Sequence, residues 1–590
     1  NAKSRIQIDF ARRVGGTSVW QYVQVVDKQT IRGFMRCTPE GGGWGNGDGH
    51  PDYTVYFYAQ FSKLLTDYGF WTADIPGDWK RRREDITSGK YQKRVSEADI
   101  IRNINELEGK HIGFFTEFST TEGETVTFKA GISFVDMEGA EKNFKAELAN
   151  ASFEEIYESA RKKWDEALGK ISVEGGTADE RTVFYTALYH TMIDPRLFSD
   201  VDGRYPGGDR KIHKSERYNR RTIFSGWDVF RSQFPLQTII NQQLINDEIN
   251  SFIDLAEESG QGYYERWEFL NAYSGCMLGN PAISVLTDAY MKGIRDYDIA
   301  KAYQIALNTS KRWGNNADGF SPGNISETLE YAYSDWCMSV LAKELGKMDD
   351  YNYYAKRARN YEQTFDKATG WFRPRNADGS WRDLPKNRTS SDYRLQHDYG
   401  SVESNPYQQG WFVPHDIEGM AALMGGRAKT LADLTSFFEN TPDNLLWNDY
   451  YNHANEPVHH IPFLFNRLGA ARLTQKWTRH ICRNAYFNKV EGLVGNEDVG
   501  QMSAWYVLAA SGIHPVCPGE TRFEITTPVF NRVTFKLGNG KQFSIVTHNN
   551  SPENVYIQSI KLNGKRHDKF HIDYQDIMKG GTMEIVVEKR

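Results

Sequence analysis

Four segments of this 590-residue chain gather carboxylates, amides and aromatic rings at close spacing: FSGWDVFR (224–231), VESNPYQQGWFVPHD (402–416), NHANEPVHH (452–460) and VGNEDVGQMSAWY (494–506). That mixture suits sugar recognition, because carboxylates and amides bond paired hydroxyls while ring faces cover the apolar side of a pyranose. Taken singly, each segment also reads as ordinary loop-to-helix punctuation, since N-caps and turns use the same residue types. Glu403 stands among Asn405, Tyr407 and Trp411. A carboxyl desolvated by aromatic neighbours keeps its proton nearer neutrality, as a general acid requires. Asp498 lies just ahead of an amphipathic run starting near Ser503, where a helix dipole favours the ionised form and hence a general base. Two carboxyls with pKa values pushed apart are the pattern of glycoside hydrolysis, and inversion calls for roughly 6.5–9.5 Å between them.

Asn455, Glu456 and the pair His459-His460 raise the question of a metal. Adjacent histidines on a helix diverge by about 100° and ligate poorly together, which disfavours zinc. Oxygen donors from Asn and Glu favour calcium. The acidic run SDVDGRY (199–205) is too short for an EF-hand loop and reads as an Asx turn.

The elements that must position these residues follow from the periodicity. Residues 1–150 alternate β-branched and aromatic residues between Gly-rich breaks, as in SVWQYVQVV and HIGFFTEFST, and predict a β-sandwich domain. The opening at Asn1 is already strand-like, so this domain is expected to continue upstream. At Ser152 a capping box starts a helix, with Phe153, Tyr157, Ala160 and Trp164 on one face and Gly169 at its stop, giving a helical linker over 151–177. From 178 to 515 helical stripes ending in Gly predominate, without the fixed-period repeat of a solenoid, so a toroid of paired helices is expected. Residues 516–590 return to strands, with Asn-Gly hairpin signals in VTFKLGNGKQFSIV and YIQSIKLNGKR.

Composition narrows the function classes. The net charge of −6 forms no basic stripe, which argues against nucleic acid. No apolar stretch is long enough for a membrane span. Five scattered cysteines make neither a disulfide framework nor a zinc finger. Fifteen Trp, 32 Tyr and 33 Phe, set in a chain of mean hydropathy −0.63, suit a protein that stacks rings on sugars.

The four segments, in this order, resemble the glycoside hydrolases of family 92, whose motifs take the forms FSxWDxFR, E-G-N-x-x-Q before WFVPHD, HGNEPxHH and GNxDxGQMSAWY. FYTALYHTMIDPRLFSDVDGRYPG, LEYAYSDWCMSVLAKELGK and SGIHPVCPG extend the likeness over nearly the whole chain. The resemblance implies a β-sandwich followed by an (α/α)6 toroid, with the C-terminal strands packed on it. It also implies an exo-acting, inverting, calcium-dependent α-mannosidase that acts on mannose-containing glycans. By the same resemblance Glu403 is the general acid and Asp498 the general base, with Asn496 beside it. Trp227, Asp228, Arg231, His453 and Glu497 are assigned to the substrate, and Gln408, Asn455 and Glu456 to calcium. A bacterial periplasmic, cell-surface or secreted location is implied, while the oligomeric state is left open.

The chain departs from the family pattern at Ser404, Pro406 and Tyr407 beside Glu403, and at Gly226, where a bulkier residue is common. Tyr451 and Asn452 stand near the place of a His-Glu pair found in α-1,2-specific members, which leaves the linkage open. Two other readings are a different toroid enzyme, such as a glucosidase or a lyase using Arg373, Arg375, Arg382 and Arg388, and a non-catalytic glycan-binding protein.

Overall fold

The computed structural model describes residues 3–11, 17–38, 52–74, 89, 93–94, 96–383 and 400–589. Nine strands open it: β1 (Lys3–Asp9), β2 (Thr17–Val25), β3 (Thr30–Thr38), β4 (Tyr53–Phe61), β5 (Asp67–Thr72), β6 (Asp99–Ile101), β7 (Glu106–Gly109), β8 (Ile112–Ser119) and β9 (Phe128–Ser133). They form two sheets, β1-β8-β5-β6 and β7-β2-β3-β4-β9, in which every strand pair is antiparallel. Inward-facing Val23, Ile31, Phe61, Phe70 and Phe114 fill the space between the sheets, the apolar half of the alternation seen in the sequence.

The strand reading of residues 1–150 misses a helix, α1 (Met137–Glu147). The Asp136 side chain caps it by accepting from the Gly139 N–H. Phe144 packs on Tyr58 with ring centroids 5.1 Å apart, and Gly131 of β9 lets the helix approach, since a Cβ there would lie 2.7 Å from the Ala140 carbonyl oxygen. Helix α2 (Phe153–Leu168) begins at the expected capping box, with both Ser152–Glu155 bonds made. Its apolar stripe faces outward, however, leaving Phe153 65% and Tyr157 57% exposed, and Gly169 ends it in a right-handed conformation (φ −66°). Strand β10 (Ile171–Glu174) follows.

The helical region runs through α3 (Ala178–His190), the single turn α4 (Gly226–Val229), α5 (Gln233–Ile240), α6 (Gln242–Glu258), α7 (Pro281–Met291), α8 (Ile299–Arg312), α9 (Ile325–Glu344) and α10 (Met348–Arg357). It continues with α11 (Pro406–Gln409), α12 (Ile417–Leu423), α13 (Arg427–Glu439), α14 (Ile461–Arg467), α15 (Ala471–Asn484) and α16 (Gln501–Ser511). Helices α5 and α16 are buried on every face, whereas α8 and α15 keep one polar side, which distinguishes inner from outer helices of an (α/α)6 toroid. The ring closes where α16, the last helix, packs on α3 and α5, the first. No helix among the described residues is long and apolar enough to cross a membrane.

The C-terminal strands are β14 (Ile513–Pro515), β15 (Arg522–Ile525), β16 (Arg532–Lys536), β17 (Gln542–His548), β18 (Tyr556–Leu562), β19 (Lys565–Arg566), β20 (His571–Asp573) and β21 (Gly581–Glu588); three short strands inside the toroid, β11 (Phe224–Ser225), β12 (Trp267–Phe269) and β13 (Ala272–Tyr273), precede them. Six strands make one sheet, β10-β16-β17-β21-β18-β19, so the strand after α2 belongs to this sheet rather than to a free linker. Asn563 and Gly564 turn β18 into β19 with φ of 51° and 77°, the left-handed pair that a tight Asn-Gly hairpin requires. Phe535, Ile545 and Ile585 of this sheet share one continuous core with the toroid.

Candidate active site

Asp228 is delivered by a strand edge. Phe224 and Ser225 pair antiparallel with Glu268 and Trp267, and the chain then turns at once into α4. Gly226 is obligatory at this turn, because a Cβ would lie 2.4 Å from both the Arg266 carbonyl oxygen and the Phe224 ring. The Ser225 hydroxyl donates to the Asp228 carboxylate. Trp227 and Arg231, assigned to the substrate by motif, flank Asp228 on the same turn. The Trp227 indole donates to Glu330 at 2.8 Å and is 1% exposed. Arg231 bonds the Trp227 carbonyl at 2.9 Å and lies among the rings of Trp227, Phe230 and Phe412. Both brace the turn that carries Asp228, while Arg231 Nη1 is left without a hydrogen-bond partner among the described residues.

Glu403 is half-buried and sits in the left-handed region at φ 51°. The Asn455 side-chain amide donates to its backbone carbonyl at 2.8 Å and to its carboxylate at 3.1 Å, fixing both ends of the residue. The residues after it build α11, where Asn405 and Gln408 form a reciprocal capping box. The Gln408 oxygen accepts one bond, from the Asn405 N–H, and its nitrogen donates to the carbonyls of Asn448 and Tyr450, which leaves the oxygen a second lone pair. Trp411 is buried against Trp371 and Phe437 as core.

Asp498, Val499 and Gly500 are three consecutive left-handed residues, with φ of 44°, 59° and 94°, immediately before α16. Such a conformation costs about 1–3 kcal/mol at a non-glycine residue and is least tolerated by a β-branched one. Glu497 anchors the loop: its carboxylate accepts from the Ser503 N–H at 3.1 Å and hydroxyl at 2.6 Å, and meets His190 Nδ1 at 2.8 Å. Glu497 is therefore committed to protein partners. Asn496 is exposed and lines a cavity of about 700 Å³ with His190 and Glu497; Asp228, Glu403, Glu456 and Asp498 are not among that cavity's walls. His453 is fully buried, with its two ring nitrogens bonded to the hydroxyls of Tyr451 and Tyr486, and so is a core histidine.

Folding brings Asp228, Glu456 and Asp498 together, with one carboxylate oxygen from each within 4.8 Å of the others. Both oxygens of the fully buried Glu456, and Asn455 Oδ1 beside it, receive no hydrogen bond among the described residues. Burial, then the charges of Asp228 and Asp498, pushes the Glu456 carboxyl well above its ordinary range. Asp228 is raised likewise by burial and by Asp498, against the opposing pull of Ser225 and Arg231. Burial, with added repulsion from Glu403 and Glu497, raises Asp498 to about 6 against the opposing effect of Glu456, which still leaves it largely ionised near neutral pH.

The geometry therefore joins a carboxyl on one left-handed loop to buried acids on two others. The family 92 glycosyl hydrolase catalytic-domain model matches residues 139–589, and the N-terminal-domain model of the same family matches residues 1–133. The chain belongs to glycoside hydrolase family 92. A family 92 α-mannosidase from Bacteroides thetaiotaomicron superposes with a TM-score of 0.87 at 30% identity, covering 100% of this chain and 76% of that one. A family 92 inverting mannosidase from the same species, strain VPI-5482, gives a TM-score of 0.83 at 26% identity over 100% and 78% of the two chains. A curated relative from Arthroderma benhamiae, described as an uncharacterized secreted glycosidase, is 27% identical over 92% of this chain and 70% of its own length.

Four residues of this family 92 hydrolase lie in the segments singled out above without having been assigned a role: Ser225 holds Asp228, Glu330 holds Trp227, and His190 and Ser503 hold Glu497. Cys276 lies half-buried where burial, then the charges of Glu403 and Asp228, raises its thiol. The arginines weighed for a lyase are otherwise engaged: Arg373 pairs with Asp366 at 2.7 Å, Arg375 lies over Phe320 and Trp381, and Arg382 bonds Asn376. Arg388 lies outside the described residues. In SDVDGRY, Asp202 accepts from the Arg204 N–H as an Asx turn, while Asp200 bonds Ser133 and Asn143 and ties the toroid to the sandwich. His459 bonds the His453 carbonyl and Gln501, and His460 the Trp411 carbonyl, so the pair does not converge on one point.

Proposed function

We propose that this hydrolase releases terminal mannose from α-mannosides with inversion, Glu403 serving as general acid and Asp498 as general base. The observation that carries this reading is the meeting of Asp498 with Asp228 and Glu456, close enough to Glu403 for its charge to raise Asp498. The α-mannosidases that superpose on the whole chain, one of them described as inverting, support the choice of sugar and of stereochemistry. In this account Asp498 removes a proton from water as its oxygen attacks the anomeric carbon. The bond from that carbon to the glycosidic oxygen breaks, and Glu403 hands its proton to the departing oxygen. Asn455 keeps the Glu403 carboxyl aimed by gripping its carbonyl and carboxylate together. Asp228, fixed by Ser225, is placed to accept from hydroxyls of the bound sugar.

The donor set suits calcium. Glu456 and Asn455 Oδ1 present hard oxygen atoms without protein donors, next to carboxylates that repel one another, and a divalent cation would satisfy them. When bound, such an ion neutralises the acids and offers coordination to sugar hydroxyls. An exported enzyme that trims mannose-containing glycans, N-glycans included, fits the description of the curated relative as secreted.

The test is incubation with α-1,2-, α-1,3-, α-1,4- and α-1,6-mannobiose, with calcium and with chelator, following the product by proton NMR. The reading predicts that β-mannose appears first and that release is lost to chelator and restored by calcium. The disaccharide cleaved fastest defines the linkage. Absence of release from all four by folded enzyme in calcium contradicts the substrate assignment.

A further inference from the structure

The least comfortable residue in the molecule's functional loop is Val499. Its φ of 59° places a β-branched side chain in the left-handed region, between Asp498 at 44° and Gly500 at 94°. Chains settle in such a conformation only where the surroundings over-determine it. Polar contacts fix the loop on both sides. Upstream, Glu497 is held by Ser503 and His190. Downstream, the fully buried Gln501 accepts from the N–H groups of Ser232 and Gln233 and bonds the Ser232 hydroxyl and His459. Gly500 lies flush on α3, where a Cβ would be 3.0 Å from Thr191 Cα. None of these contacts dictates the direction of the Asp498 side chain between them.

Val499 supplies the missing constraint. Its half-buried side chain packs between the main toroid core and an apolar cluster that spans two domains, in which Cys37 and Tyr53 come from the sandwich and Phe198, Ile223, Phe269 and Leu270 from the toroid. Tyr53 meets Phe269 at 6.1 Å between ring centroids, and Phe134 meets Phe198 at 4.8 Å, so the cluster on which the valine packs is itself where the sandwich docks on the toroid. In a chain where successive side chains diverge, anchoring Val499 outward toward this cluster turns Asp498 toward Asp228 and Glu456.

We propose that Val499 is a positioning residue for the reaction, converting the docking of the sandwich on the toroid into the orientation of Asp498. This rests on the assignment of Asp498 as general base. Glycine at 499 adopts φ 59° freely and leaves no side chain to seat, so the loop loses its directional anchor while its strain is relieved. Turnover of 4-nitrophenyl α-mannoside is compared for wild type, Val499→Gly, Val499→Ile and Asp498→Asn, with Tm recorded for each. The expected result is a Val499→Gly enzyme whose Tm stays within a few degrees of wild type, whose kcat falls at least tenfold, and whose KM changes less than threefold. Val499→Ile, which keeps the apolar β-branched anchor, is expected to restore most of kcat. If Val499→Gly does not fold, Val499→Ala carries the test, with an expected loss of at least threefold in kcat at unchanged KM. Near-wild-type kcat in the glycine or alanine variant, with Asp498→Asn inactive, overturns the positioning role and leaves the base assignment standing. Full activity in Asp498→Asn overturns both.

Discussion

One amide of Asn455 holds Glu403 twice, at its backbone carbonyl (2.8 Å) and at its carboxylate (3.1 Å), while the oxygen of the same side chain, Oδ1, is buried without a donor. A single residue thus links the proposed acid to the proposed cation site. Asn455→Asp turns the gripping donor into an acceptor and sets a second negative charge against Glu403. The expected loss in kcat/KM is about 10- to 100-fold, the rate equivalent of the roughly 1.5–3 kcal/mol that a hydrogen bond to a charged group contributes. Steady-state kinetics on the best mannobiose checks this, and a loss confined to KM would show that orientation of the acid is not what Asn455 provides.

Glu456 gives the opposite pairing of stability and function. Fully buried beside two carboxylates and without donors, it is held well above the usual carboxylate range, so its ionisation opposes folding when no cation is present. Glu456→Gln removes that charge at nearly constant volume. In chelator the variant is expected to be more stable than wild type by about 1–3 kcal/mol, and its Tm is expected to lose the rise that calcium gives wild type. Thermal melts with and without calcium check both halves, and an undiminished calcium response in the variant would remove Glu456 from the ligand set.

His190 contributes a pH-dependent tie to the same loop. Its hydrogen bond with Glu497 raises the imidazole above its ordinary value, against a smaller opposing effect of burial. A raised folded-state pKa favours the folded form while the histidine is protonated. The contribution is therefore complete below the unfolded value near 6.5 and fades as pH rises through the folded value. The Tm gap between wild type and His190→Gln is expected to be larger at pH 5.5 than at pH 8.5. A gap that is constant or widens with pH contradicts the pairing.

Much of the architecture is legible in local sequence because local chemistry decides it. The capping box at Ser152 and the Asn563-Gly564 turn act within a few residues, whereas α16, expected to be amphipathic, is buried on every face because the ring closes around it. Helix α1 escaped notice because much of its sequence is charged and its buried side rests on only Gly139, Ala140 and Phe144. At the site, motifs bring the right segments together but do not give direction. Trp227, Arg231, Gln408 and His453 lie in the expected segments, and bonds to Glu330, to backbone carbonyls and to tyrosine hydroxyls that no spacing reveals fix how each is held. The rise of Asp498 to about 6 is not legible because the burial and the charge of Glu403 that cause it come from remote segments.

The division of labour between Glu403 and Asp498 is tested most directly by varying the need for acid assistance. Glu403→Gln and Asp498→Asn are assayed on a mannobiose and on 2,4-dinitrophenyl α-mannoside, whose leaving group departs with little help from a proton. The account predicts that Glu403→Gln loses about 10²–10⁴-fold on the mannobiose but recovers most of its rate on the dinitrophenyl substrate, whereas Asp498→Asn is impaired by a similar factor on both. Recovery by Asp498→Asn but not Glu403→Gln would reverse the two roles, and near-wild-type rates for either variant on the mannobiose would contradict the assignment of that residue.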